Sequence, residues 1–160
     1  MIEIRPAAPD DAFGMSLVLA EIFARKQSDR PSNPEHVAKF YINPPDQVSC
    51  SVAIDEKGEV LGFQSLKIAR EGNPFDLPTG WGIIGTYVGQ KAARRGVGSA
   101  LFAASLKAAR NTGLSDIDAT IGAENEQGLH YYNAMGFQTY RTKPGAVCKC
   151  FSVADTADLS

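Results

Sequence analysis

The stretch from Trp81 to Ala100 constrains the fold most. A nearly continuous apolar run, Trp81 to Val88, leads past Gly89 into Arg94-Arg95-Gly96-Val97-Gly98-Ser99-Ala100, which opens a helical stripe of Val97, Leu101, Ala104 and Ala108. A strand without polar alternation reads as covered on both faces and central in its sheet. A strand that turns straight into a long helix, here stopped by Gly113, reads as a strand with its crossover helix. The turn between them suits an anion. The first N–H groups of a helix have no internal partner, the helix dipole adds partial positive charge, and glycine lets a ligand approach the backbone.

Charge around this turn agrees. Between Lys91 and Arg110 stand Lys91, Arg94, Arg95, Lys107 and Arg110 and no acidic residue, in a chain of formal net charge −2 and pI near 5.7. Attraction for a polyanion is therefore local, which argues against nucleic acid as a partner. A mononucleotide P-loop needs Lys and Ser or Thr after its last glycine, whereas Gly98 precedes Ser99 and Ala100. A dinucleotide turn needs a third glycine where Leu101 stands.

The remaining pattern fits one domain. At 160 residues the chain matches a single core, taken as residues 1–153 with a tail at 154–160. Ile2 to Arg5 alternates as a strand, and Ala12 to Arg25 reads as a helix with Phe13, Leu17, Leu19, Ala20 and Phe23 on its stripe. A shorter helix begins at Pro34 and ends before Asn43-Pro44-Pro45; Gln47 to Ile54 and Val60 to Ile68 form a hairpin about Asp55 to Glu59. Glu71 to Gly80 is a Pro- and Gly-containing loop suited to border a cleft. Asp116 to Ile121 alternates as a strand, Gln127 to Met135 is helical with Gly136 as its cap, and a strand pair runs from Phe137 to about Val153. Cys50, Cys148 and Cys150 lack the spacing of a metal or redox site and read as reduced thiols; no metal is expected. The charged residues in Met1 to Asp11 do not form a signal peptide, and no segment is long and apolar enough for a membrane span, so a cytosolic protein without a membrane partner is expected. A homodimer is the commonest arrangement among soluble oligomers.

Val88, Arg94-Arg95-Gly96-Val97-Gly98, Asn125, Tyr132 and Gly136-Phe137, in this order and spacing, resemble the signature of the GNAT N-acetyltransferase superfamily. The likeness covers most of the chain. It implies an α/β (α+β) fold, a mixed sheet of about six or seven strands flanked by about four helices, and acetyl-CoA as cosubstrate. It also implies that Arg94, Arg95, Gly96, Val97, Gly98 and Ser99 hold the pyrophosphate, that Thr86, Tyr87 and Val88 pair with the pantetheine arm as an added strand, and that Asn125 contacts the same arm. Tyr132 would protonate the departing thiolate, as a phenol that stays protonated at neutral pH can. A backbone N–H near Tyr87 or Val88 would polarise the thioester oxygen, and the amine would attack directly.

Two positions depart from the family pattern. Ala93 stands where Gln or Arg usually opens the phosphate turn, and Thr120 where many relatives carry a glutamate base, leaving Asp118, Glu124 or water. His36, His130 and Tyr131 read as surface or core residues. For the acceptor, Phe40, Tyr41, Phe63, Phe75 and Trp81 could line a cleft. The implied reaction is acetylation of a primary amine of a small, amino-acid-like molecule. A protein or peptide acetyltransferase and a non-catalytic acyl-CoA sensor are the alternatives.

Overall fold

The computed structural model describes residues 1–92 and 95–153. The expectations placed on Ala93, Arg94 and the tail 154–160 lie outside the described residues. In chain order the elements are β1 (Glu3–Pro6), α1 (Ala12–Arg25), α2 (Pro34–Val37), β2 (Gln47–Ile54), β3 (Val60–Ile68), β4 (Gly82–Val88), α3 (Val97–Thr112), β5 (Asp116–Gly122), α4 (Glu126–Met135), β6 (Gln138–Lys143) and β7 (Ala146–Ser152). One seven-stranded sheet, in the order β1-β2-β3-β4-β5-β7-β6, contains all the strands. The mixed sheet and the four α-helices agree with the expected fold class.

Alternation along β2 and β3 divides the core between the two faces of the sheet. Cys50, Val52, Ile54 and Phe63 pack with Met15, Leu19 and Phe23 of α1 and with Val37 and Tyr41 around α2. Ala53 turns to the other face, where it meets Val97 and Leu101 of α3. On that second face Leu66, Ile84, Ile117 and Ile121 pack with Phe102 of α3 and Tyr132 of α4. Helices α1 and α2 therefore cover one face, and α3 and α4 the other.

The stripe expected on α1 is corrected. Phe13 and Leu17 are 65% and 56% exposed, while Met15, Val18, Leu19, Ile22 and Phe23 are buried. Both sets have helical spacing; the buried one wins because its five members lie on a narrower arc facing β2 and β3. The short helix begins at Pro34, as expected, with Asn33 Oδ1 accepting from the His36 N–H at 2.8 Å. It widens into a π-type turn over Ala38–Ile42 before the Asn43-Pro44-Pro45 stop.

Strand β4 is central, but it is not covered throughout. It pairs with β3 along its whole length, from Gly62↔Val88 to Ile68↔Gly82. Against β5 it pairs in parallel only at Gly82↔Ile117 and Ile83↔Asp118. Beyond Ile83 the two strands part, because β5 stays paired with β7 from Asp116 to Gly122 while β4 follows β3. Gly85 to Val88 are accordingly only half-buried, with one backbone edge open.

Candidate active site

The split between β4 and β5 opens a cavity of about 630 Å³. Its walls come from both faces of the sheet: the first turns of α3 and α4 on one side, and the C-terminal end of α1 with the chain beyond it on the other. The cavity thus runs through the gap that the parting strands leave.

Gly96 caps α3 in the left-handed region, with φ 71° and, among the described residues beyond its chain neighbours, no atom within 4 Å of where a Cβ would stand. That conformation favours glycine, and Val97, Gly98 and Ser99, which follow it in the first turn of α3, line the cavity. Their N–H groups have no acceptor among the described residues, the expected state of a helix start that can take an anion. Gly98 has a different reason to be glycine. A Cβ there would lie 2.6 Å from Tyr131 Cε1, and the Tyr131 hydroxyl donates to the Gly98 carbonyl at 2.7 Å. The space that glycine leaves is filled by a tyrosine ring of the protein itself.

Tyr131 belongs to a buried polar chain. Gln64, fully buried on β3, donates through Nε2 to the Tyr131 hydroxyl and to Thr86 Oγ1, both at 2.9 Å. Thr86 Oγ1 lies 2.7 Å from the Tyr132 hydroxyl. Tyr132 is 6% exposed, and its ring meets Phe137 edge-on at 5.1 Å. Burial pushes the Tyr132 phenol well above its ordinary value, partly opposed by the Thr86 hydrogen bond, while burial takes Tyr131 up to about 12. Both phenols are therefore neutral donors at physiological pH.

Of the residues singled out in the sequence, Thr86, Tyr87, Val88, Gly96, Val97, Gly98, Ser99, Asn125 and Tyr132 all line the cavity. Arg94 lies outside the described residues. The Arg95 side chain pairs with Glu56 Oε2 at 3.4 Å, and Arg95 does not line the cavity. Asn125 carries a structural duty: its Oδ1 accepts from the Gly128 N–H at 3.1 Å and caps α4.

The base candidates differ sharply. Asp118 is fully buried and accepts from Tyr140 at 2.6 Å and from Thr120 Oγ1 at 2.8 Å. Thr120 lines the cavity, so its hydroxyl connects the cavity with a buried carboxylate. Glu124 lies exposed in the turn beyond β5 and does not line the cavity.

The aromatic side chains considered for an acceptor cleft do not line the cavity. Tyr41 and Phe63 instead brace Tyr87, with ring centroids 5.5 Å and 5.0 Å away, and Tyr41 donates to the Tyr87 hydroxyl at 3.4 Å. Trp81 leans on Tyr140, and the 71–80 loop is tied to β6 by Arg141 donating to the Phe75 carbonyl at 2.7 Å. The wall on that face comes from Ile22, Phe23, Arg25, Lys26 and Arg30. Sequence reading missed this wall, together with Gln64 and Tyr131. The one available signal was Gln64 itself, an amide between Phe63 and Ser65 in a largely apolar strand. Among the described residues no cluster of metal-ligating side chains occurs, and no helix is long and apolar enough to cross a membrane.

Known proteins resemble the chain in sequence profile and in fold. The sequence profile of the acetyltransferase (GNAT) family matches residues 17–137. Mycothiol acetyltransferase of Propionibacterium freudenreichii subsp. shermanii is 33% identical over 101 residues, 62% of this chain and 31% of that protein, so the chain spans about a third of the relative's length. An N-acetyltransferase from Kribbella flavida superposes with a TM-score of 0.80 at 20% identity, covering 94% of this chain and 97% of its own. The GNAT domain of PAT from S. lividans gives 0.78 at 20%, covering 94% and 90%. An acetyltransferase from Salmonella typhimurium, solved with its cofactor acetyl-CoA, gives 0.71 at 17%, covering 95% and 94%.

Proposed function

The chain belongs to the acetyltransferase (GNAT) family, a family of acyltransferase enzymes that use acetyl-CoA, and from that premise we propose that it acetylates a primary amine of a small, amino-acid-like molecule within a ternary complex. One observation carries the reading. A single cavity brings together an open strand edge, a set of helix N–H groups without an acceptor among the described residues, and a buried neutral phenol.

The residues present fit acetyl-CoA. The N–H groups of Val97, Gly98 and Ser99 would hold its pyrophosphate, the free edge of β4 at Thr86 to Val88 would pair with its amide-bearing arm, and Asn125 stands at the same wall. When bound, acetyl-CoA supplies an acetyl group already activated as a thioester. The open N–H groups of β4 near Tyr87 and Val88 supply donors for the thioester oxygen. Tyr132 would deliver the proton that the leaving sulfur requires. Gln64 donates to Thr86 Oγ1, which leaves the Thr86 proton free to go to the Tyr132 oxygen and the Tyr132 proton free to point into the cavity. On the other side of the gap, Thr120 would accept a proton of the amine and hand its own to Asp118.

The test is turnover. Release of free thiol from acetyl-CoA is measured across a panel of amino acids, simple amines and peptides. Acetylation of small amines above peptides supports the reading. Selective acetylation of peptides replaces the acceptor class, and tight acetyl-CoA binding without turnover of any amine marks a sensor.

A further inference from the structure

The cavity has a second mouth whose electrostatics the acetyl donor does not explain. On the α1 face it is walled by Arg25, Lys26 and Arg30, and no carboxylate lines the cavity among its described residues. This excess is local in a chain of net charge −2. It also lies on the opposite side of the sheet from the helix N–H groups of Val97 to Ser99, because α1 covers one face and α3 the other.

The three cations are not equally free. Arg25 is paired with Glu21 at 3.4 Å, and Glu21 is held further by the Gln90 N–H at 2.9 Å. Arg30 lays its guanidinium over the buried Phe23 ring, 4.7 Å from the centroid, and its side-chain N–H groups have no acceptor among the described residues. Lys26 has no acidic partner among the described residues, and burial, then Arg30 and Arg25, push its ammonium below the ordinary lysine range. Asp29 is exposed in the chain that follows but pairs with neither Lys26 nor Arg30 among the described residues. The positive field extends over this face: burial, then Arg30, Lys67 and Lys39, hold His36 below its usual value.

We propose that this mouth is the anion subsite of the acceptor: the amine enters attached to a negatively charged group, a carboxylate in the simplest case, which seats on Lys26 and Arg30 while the amino group reaches Thr120 and the open edge of β4. The inference rests on the acetyltransferase reading and narrows its substrate class. A purely cationic amine, such as a polyamine or a lysine side chain in a peptide, meets a wall of like charge. A zwitterion brings the counter-ion that Lys26 and Arg30 lack. The phosphates of acetyl-CoA carry the same chemistry, but the helix N–H groups for them lie at the other mouth.

The experiment uses matched acceptors, amino acids and their primary amides, with a polyamine alongside. Acetyl-CoA binding is measured separately by calorimetry. Amidation lowers the basicity of the amine and so increases its reactive neutral form, which biases the comparison against the proposal. We expect kcat/KM at least about tenfold higher for the acids, chiefly through KM, with the polyamine poorest. In K26Q/R30Q, its folding checked by the thermal midpoint, we expect the acid-to-amide ratio to fall towards one with the Kd for acetyl-CoA unchanged. Equal turnover of acids and amides, or a preference for the polyamine, overturns the anion subsite and leaves the acetyltransferase reading standing. Weakened acetyl-CoA binding in K26Q/R30Q with selectivity unchanged also overturns it, assigning these cations to the donor's phosphates. Failure of the folded protein to bind acetyl-CoA sinks both readings.

Discussion

Tyr132 and Thr120 line the cavity from its two walls, and each hydroxyl has a hydrogen-bond partner, Thr86 and Asp118 respectively. Burial keeps the Tyr132 phenol protonated, so replacing it by phenylalanine removes a donor and little volume. Tyr132→Phe is expected to lower kcat by about 100-fold while acetyl-CoA affinity stays within about twofold, measured by thiol release and calorimetry. The raised value of the phenol has a sign that can be checked. A group whose folded pKa is raised keeps its proton above the pH at which an ordinary phenol loses it, so Tyr132 causes no alkaline fall in kcat below about pH 10, and the stability it contributes through its proton is lost only above that pH. Thr120→Val severs the hydroxyl contact with Asp118 without adding a charge, and is expected to reduce kcat about tenfold with KM for acetyl-CoA unchanged. An unaltered kcat in this variant would transfer the base role to water. The resemblance to relatives pointed to Tyr132. The roles of Thr86, Gln64 and Tyr131 were not legible, because a hydrogen-bonded chain across β3, β4 and α4 joins residues far apart in the sequence.

Each helix that reaches the cavity is fixed at an end by a specific contact. At the entry to α1, Asp11 accepts from Arg5 of β1 at 2.8 Å and 3.0 Å and from the Ala8 N–H at 2.7 Å, locking the first strand to the first helix. Hydrogen bonds to charged groups contribute about 1.5–3 kcal/mol, reduced here because Arg5 is partly exposed, so Asp11→Ala is expected to cost about 2 kcal/mol in chemical denaturation at neutral pH. The Arg5 guanidinium holds the Asp11 carboxyl below the ordinary carboxylate range. This contribution is therefore complete above about pH 4 and disappears as the pH falls through the depressed value, so the wild type and the variant converge in stability in acid. The bounds of α1, β2 and β3 were legible because caps, turn residues and apolar period agree there. The face that α1 buries was not, since Phe13 and Leu17 are as apolar and as well spaced as the residues that β2 and β3 select. The same ambiguity concealed the Arg25, Lys26 and Arg30 wall, whose position follows from how α1 rotates on the sheet.

Across the molecule, the site exists because the sheet fails to stay closed. Strands β4 and β5 run together for two residue pairs and then part, and the first turns of α3 and α4, the open edge of β4 and the C-terminal end of α1 meet around the gap. The strand, turn and helix around Gly96 were readable from sequence, since left-handed glycine and the start of a helix leave local signatures. The early parting of β4 from β5 was not, because it depends on β7 lying between β5 and β6. The acceptor side was also illegible, for it is assembled from α1 and the residues beyond it without any motif. In the proposed function the start of α3 and the open edge of β4 receive the acetyl donor. Ser99 gives the most direct test, being exposed in the first turn of α3, where glutamate favours the helix but opposes a phosphate. Calorimetric titration with acetyl-CoA should show binding to the wild type and at least about tenfold weaker binding to Ser99→Glu, with the thermal midpoint of the variant no lower. Equal affinity in the two folded proteins, or no binding by the wild type, would contradict the account.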